Sequence, residues 1–120
     1  MADKRILVID DDDLIQDLFA LALRDEGYTV DVAATVAEAN QQLDTRPFDL
    51  VIADWHLPDG NGIRVADRAA DQGIKAFVIT GFFLSSPSGR AAQHEILTKP
   101  VRPIELIAAV ERSIGKASVA

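Results

Sequence analysis

Four short apolar runs punctuate this chain: Ile6 to Ile9, Leu50 to Ala53, Phe77 to Thr80, and the briefer Ile96-Leu97. Each is bounded by polar or turn residues, the pattern of strands buried on both faces of a parallel sheet, although periodicity alone does not separate such a run from buried helix. Tyr28-Thr29-Val30-Asp31-Val32 differs, because it alternates apolar and polar residues and so reads as an edge strand with one wet face. Helical spacing fills the gaps. Leu14, Leu18 and Leu21 with Ile15, Phe19 and Ala22 predict an apolar stripe that ends at Gly27. Thr35 is the candidate N-cap of a helix over Val36 to Leu43, and a third helix runs from Ile63 to Ala70 and stops near Gly73. A last helix starts at Pro103 and places Ile104, Ile107, Ala108 and Ile114 on one face, with a frayed tail expected after Gly115. Alternation of strands and helices with short crossovers requires right-handed βαβ units. The fold class is therefore α/β, a three-layer α/β/α sandwich around a five-stranded parallel sheet.

With 120 residues there is room for one domain, spanning 1–120. No cysteine is present, which removes disulfides and thiolate metal sites. A net charge of −7 opposes direct binding to nucleic acid or an anionic membrane. No apolar run approaches the roughly 18 residues of a membrane span, and Met1 to Arg5 shows no signal-peptide pattern, so a cytoplasmic protein is expected.

In such a sheet, ligands bind outside the carboxyl ends of the strands. The polar residues at those ends form a set: Asp10 and Asp11 after the first strand, Asp54 after the third, Thr80 ending the fourth, and Lys99 after the fifth. Asp10 to Asp13 form an unbroken acidic row. Two like charges about 4 Å apart at a protein surface cost on the order of 4 kcal/mol, so the row must be solvated, spread or neutralised. Asp12 and Asp13 are most simply the N-cap and first-turn acid of the following helix. Asp10, Asp11 and Asp54 are hard oxygen ligands suited to Mg²⁺. One carboxylate could act as a nucleophile and become an aspartyl phosphate, while a lysine and a hydroxyl hold the phosphoryl oxygens. His56 and His94 resemble no metal-ligand motif.

The motifs Ile6-Leu7-Val8-Ile9-Asp10-Asp11, Asp49 to Pro58 with Gly62, Val78-Ile79-Thr80-Gly81, and Leu97-Thr98-Lys99-Pro100 occur in that order. Together they resemble the receiver domain of two-component response regulators over essentially the whole chain. The resemblance implies a sheet of strand order 2-1-3-4-5 and a phosphorelay role. Asp54 would accept a phosphoryl group from the phosphohistidine of a sensor histidine kinase or a histidine phosphotransfer protein. Asp10, Asp11, Asp54 and the backbone carbonyl of His56 would hold Mg²⁺. Lys99, joined to Pro100 by a cis bond, would pair with the phosphoryl oxygens, Thr80 would move its hydroxyl onto them, and Gly81 would leave access. Such a domain is no enzyme toward a separate substrate, but assists its own phosphorylation and dephosphorylation. It would signal to a downstream protein partner, as a monomer or a phosphorylation-dependent dimer.

Two positions depart from the family pattern. Where receivers usually carry a Tyr or Phe switch three residues before the lysine, this chain has Ile96, which cannot swing an aromatic ring. The stretch from Phe82 to Arg90 holds Pro87, Gly89 and three serines where a fourth helix would start, leaving at most one or two turns near Arg90 to His94. Two readings fit Phe82 and Phe83: both rings simply fill the space left by the missing turn, or phosphorylation orders the loop from Gly81 to Gly89 and so exposes or buries them. Two other readings compete: a small haloacid-dehalogenase-like phosphatase using Asp10 or Asp11, and a non-phosphorylated pseudo-receiver serving as an interaction module.

Overall fold

The computed structural model describes residues 4–81 and 94–117. The one or two turns expected at most near Arg90 to His94, apart from His94 itself, and the loop of Phe82 and Phe83 lie outside the described residues. Strands β1 (Arg5–Ile9), β2 (Thr29–Ala33) and β3 (Leu50–Asp54) alternate with helices α1 (Asp13–Asp25) and α2 (Val36–Thr45). A small hairpin of β4 (His56–Leu57) and β5 (Gly60–Asn61) precedes α3 (Gly62–Asp71), and β6 (Lys75–Thr80), β7 (Glu95–Thr98) and α4 (Pro103–Ile114) complete the chain. Five strands form one sheet of order β2-β1-β3-β6-β7, every pair parallel. This is the expected 2-1-3-4-5 order, with the unforeseen hairpin shifting the last two labels.

Alternation along the buried strands sorts the core into two layers. On β1, Ile6 and Val8 face one side with Phe19, Leu23, Leu106 and Val110, while Leu7 and Ile9 face the other with Leu43, Val65 and Ala69. Period-two geometry accounts for both layers from a single strand.

The phase of two helices corrects the sequence reading. On α1 the buried residues are Gln16, Phe19, Ala20 and Leu23, whereas Leu14 is 80%, Leu18 45% and Leu21 61% exposed. Of the expected stripe, Phe19 is buried and Ile15 packs against the same layer, but Gln16, Ala20 and Leu23 complete the face in place of Leu14, Leu18 and Leu21. On α4 the core face is Leu106, Ala109 and Val110, while Ile104 is 72% exposed and Ala108 lies outside. Of the tail expected to fray after Gly115, the described residues Lys116 and Ala117 are held in place. Ala117 is buried, and Lys4 Nζ donates to Lys116 O at 2.6 Å.

Caps follow the sequence closely. Asp12 is the N-cap of α1, accepting from the Leu14 and Ile15 N–H groups, with Asp13 in the first turn. Thr35 caps α2 by accepting from Glu38 N, and Asn61 caps α3 by accepting from Arg64 N. Each such cap is worth about 1 kcal/mol. Gly27, at φ 101°, follows the C-cap of α1 in the left-handed region where glycine costs least.

Candidate functional site

The carboxyl ends of β1, β3, β6 and β7 converge on one rim. Asp10 leaves β1 with its N–H donating to Ala33 O at 3.0 Å, which carries the ladder one residue past the strand. Its carboxylate turns back, and Asp10 Oδ1 accepts from Asp12 N at 2.9 Å. Asp54 ends β3, where the next N–H, of Trp55, donates to Ile79 O at 2.8 Å. Asp10, Asp11 and Asp54 each offer one carboxylate oxygen, and these atoms lie within 4.8 Å of one another. Asp10 and Asp54 are buried and Asp11 is exposed.

Lys99 supplies the cation. Its Nζ donates to Asp54 Oδ2 at 3.2 Å, and its backbone N–H donates to Thr80 O at 2.8 Å. The Lys99-Pro100 bond is cis. Thr80 is buried at the end of β6, its backbone held by the same strand pair that places Lys99.

Electrostatics define what the rim can hold. Burial raises the Asp10 pKa to about 6, the Asp54 and Asp11 charges adding to the rise while the Asp12 N–H and Lys99 oppose it. One ammonium against three carboxylates leaves surplus negative charge, which a divalent cation would balance. Clustered carboxylate oxygens, one of them solvent-facing, suit a hard cation that keeps several waters, as Mg²⁺ does.

The remaining expected residues are placed as follows. His56 opens β4, exposed, and pairs with Asn61 across the hairpin. Ile96 is half-buried on β7 opposite Val78, two residues below the rim pair Thr80 and Thr98. Among the described residues, nothing lies within 4 Å of where a β-carbon on Gly81 would stand. His94 is not part of the rim, and its Nε2 lies 2.7 Å from Asp67 Oδ1 on α3.

Three contacts go beyond the sequence reading, the first at Gly62, which that reading named only as part of a motif. Gly62, the first residue of α3, lies against the backbone of Asp54 so closely that a β-carbon would overlap the Asp54 carbonyl. Asp59, at the hairpin turn, accepts from Val36 N at 2.8 Å and Ala37 N at 3.0 Å, tying the segment after Asp54 to the start of α2. Those bonds hold its carboxyl below the usual range. Gln16 is a buried amide on the core face of α1. Its signal was available in the sequence, as a polar residue in register with Phe19 and Leu23, once the helix phase is known.

A five-stranded parallel α/β sheet with an acidic triad and a lysine at its carboxyl rim defines a receiver-type domain. The chain belongs to the response regulator receiver domain family, whose model matches residues 6–111. It is similar to the response regulator receiver protein CpdR of Brucella abortus, 32% identical over 116 residues that cover 92% of this chain and 97% of CpdR. It is 33% identical over 127 aligned residues to the regulatory protein VanR of Enterococcus faecium, covering 97% of this chain but 52% of VanR. The chain thus spans about half the length of that relative. Among solved structures it resembles the Thermotoga maritima response regulator TrrA in complex with Mg²⁺-BeF, at a TM-score of 0.82 and 29% identity, covering 91% of this chain and 97% of TrrA.

The protein is therefore a response regulator receiver domain of two-component systems, a class that works with histidine kinases and downstream effectors. The comparisons lend no support to the phosphatase alternative. Among the described residues, no helix is long and apolar enough to cross a membrane.

Proposed function

We propose that Asp54 is the phosphoacceptor, that Asp10, Asp11 and Asp54 with the His56 backbone carbonyl hold Mg²⁺, and that Lys99 and Thr80 receive the phosphoryl oxygens. One observation carries this reading: Asp54 joins the acidic pair on one side and Lys99 on the other, at 3.2 Å from Nζ. In the transfer, an Asp54 carboxylate oxygen attacks the phosphorus of a donor phosphohistidine. The new O–P bond forms as the N–P bond breaks, and the departing imidazole nitrogen keeps the bonding pair. Negative charge on the phosphoryl oxygens is met by the Lys99 ammonium, already fixed at the acceptor, and by the Thr80 hydroxyl at the end of β6. Mg²⁺, when bound, would offset the charge that otherwise repels a phosphoryl group from three carboxylates. The donor is a sensor histidine kinase or a histidine phosphotransfer protein, and the output passes to a downstream protein.

The complex of TrrA with Mg²⁺-BeF supports this assignment by likeness. The test is intact-mass analysis after incubation with a small phosphodonor, with and without Mg²⁺, in the wild type and Asp54→Asn. A Mg²⁺-dependent mass increase of one phosphoryl group is expected in the wild type only. Equal labelling of Asp54→Asn would overturn the assignment.

A further inference from the structure

Gln16 breaks the rule of the helix face it occupies. The buried stripe of α1 runs Gln16, Phe19, Ala20 and Leu23, and its first member is a polar side chain only 8% exposed. Its amide nitrogen donates to two backbone carbonyls, Asp10 O at 3.0 Å and Ala33 O at 3.0 Å. These belong to different strand ends: Asp10 follows β1, and Ala33 closes β2. Ala33 O also accepts from Asp10 N, so the three groups form one knot. The residue in that knot is Asp10, whose carboxylate shares the rim with Asp11 and Asp54.

We infer that Gln16 is a positioning residue for the metal-binding carboxylates, locking the backbone of Asp10 from which both Asp10 and Asp11 project. This rests on the proposed Mg²⁺ role of the rim. The geometric need is clear. After Asp10 the chain turns from strand into helix, and Asp12 N already bonds Asp10 Oδ1. That bond sets the carboxylate relative to its own backbone, and the bond from Asp10 N to Ala33 O ties the amide side of Asp10 to β2, but neither holds the Asp10 carbonyl from which the chain turns towards Asp11. Gln16 supplies the constraint on that carbonyl, because its amide reaches from the first turns of α1 to Asp10 O and Ala33 O together. An apolar side chain of the same size would fill the space and leave the turn free to shift. Partners lying beyond the ligands of a metal site commonly govern its affinity by 10–100-fold.

A purely structural role would satisfy two buried carbonyls and affect folding alone. The two roles separate when metal affinity is measured beside stability. The variants are Gln16→Met, similar in volume and lacking donors, and Leu23→Val, which loosens the same face of α1 away from the strand ends. Trp55, the only tryptophan, lies directly after Asp54 and reports Mg²⁺ by intrinsic fluorescence. Thermal melts in EDTA give the stability of each metal-free protein. Gln16→Met should weaken Mg²⁺ binding by about 10-fold or more. Its Asp54 labelling should be slow at low Mg²⁺ and recover at high Mg²⁺, while Leu23→Val keeps wild-type affinity at a comparable loss of stability. Gln16→Met binding Mg²⁺ within about twofold of wild type, or both variants weakening it equally, would overturn the positioning role alone. A wild type that binds no Mg²⁺ would overturn the metal assignment and this role together.

Discussion

Lys99 and Asp54 meet at 3.2 Å across the ends of β7 and β3, two strands separated in the sheet by β6. The contact crosses over the carboxyl end of β6, where Thr80 sits, so Lys99, Thr80 and the proposed acceptor Asp54 gather at one place on the rim. The Lys99 side chain is 38% exposed, which limits its worth to the fold to that of a screened surface pair. Lys99→Ala should therefore leave the melting temperature within a few degrees of wild type. It should slow Asp54 labelling by about 100-fold, the scale of losing one preorganised electrostatic partner of the transferring group. Mg²⁺ should bind a few-fold more tightly, because a competing positive charge has gone. Labelling rate and Mg²⁺ titration measured on the same preparation check both signs. Labelling and affinity falling together would point to general damage of the rim.

Gly62 lies against the backbone of the same aspartate, Asp54. A β-carbon there would overlap the Asp54 carbonyl and press on Ala53 Cβ, and both belong to the most buried strand of the sheet. Neither can yield cheaply, because β3 is paired on both sides and α3 starts at this residue. Gly62→Ala should destabilise by about 1–3 kcal/mol, the usual cost of forcing extra volume into a packed site. Asp54 should also label more slowly. Denaturant melts together with labelling rates test this, and wild-type values in both would show that α3 can retreat freely.

The acidic row divides at Asp11. Asp12 is bonded to the Leu14 and Ile15 N–H groups as a cap, whereas Asp11 is an exposed member of the carboxylate cluster. Asp12→Ala should cost about 1 kcal/mol of stability and keep Mg²⁺-dependent labelling. Asp11→Ala should do the reverse, holding its stability in EDTA while losing Mg²⁺ affinity. Chemical denaturation and Mg²⁺ titration of the pair distinguish the two roles, and identical profiles would refute the division.

Much of this architecture was legible in the chain, for identifiable reasons. Strands buried on both faces leave unbroken apolar runs, so Ile6 to Ile9 and Leu50 to Ala53 announced themselves, and every residue of β3 is buried. The rim followed because strand ends must point to one side of a parallel sheet. Helix phase did not follow. Leu14, Leu18 and Leu21 satisfy helical spacing as well as Phe19 and Leu23 do, and nothing within α1 says which stripe meets the sheet. The face that meets the sheet carries Phe19, Ala20 and Leu23 together with a glutamine, whose amide is satisfied there by Asp10 O and Ala33 O. The cap from Asp59 to α2 was equally hidden, since it joins segments distant in sequence through backbone N–H groups that no residue type reveals.

Asp10 makes the metal-free protein sensitive to pH in a defined direction. Burial raises its pKa from 3.8 to about 6, with Asp54 and Asp11 adding to the rise. A carboxyl whose folded pKa lies above its unfolded one binds its proton more tightly in the native state. Its contribution to stability is thus complete below about pH 4 and is lost as pH rises through about 6. The full effect is on the order of 2–3 kcal/mol. In EDTA, wild type should be less stable at pH 7.5 than at pH 5 by more than the Asp10→Asn variant is, because the amide cannot ionise. At pH 7.5 the variant should be the more stable of the two without metal. Mg²⁺ should reverse that order, since it binds the ionised carboxylate that the variant lacks. For the same reason, Mg²⁺ affinity of the wild type should fall as pH drops below about 6, where protons compete for Asp10. Denaturant unfolding of both proteins at the two pH values, with EDTA or with saturating Mg²⁺, measures every sign. An Asp10→Asn variant that tracks the wild type at both pH values in EDTA would show that Asp10 is not the group responsible.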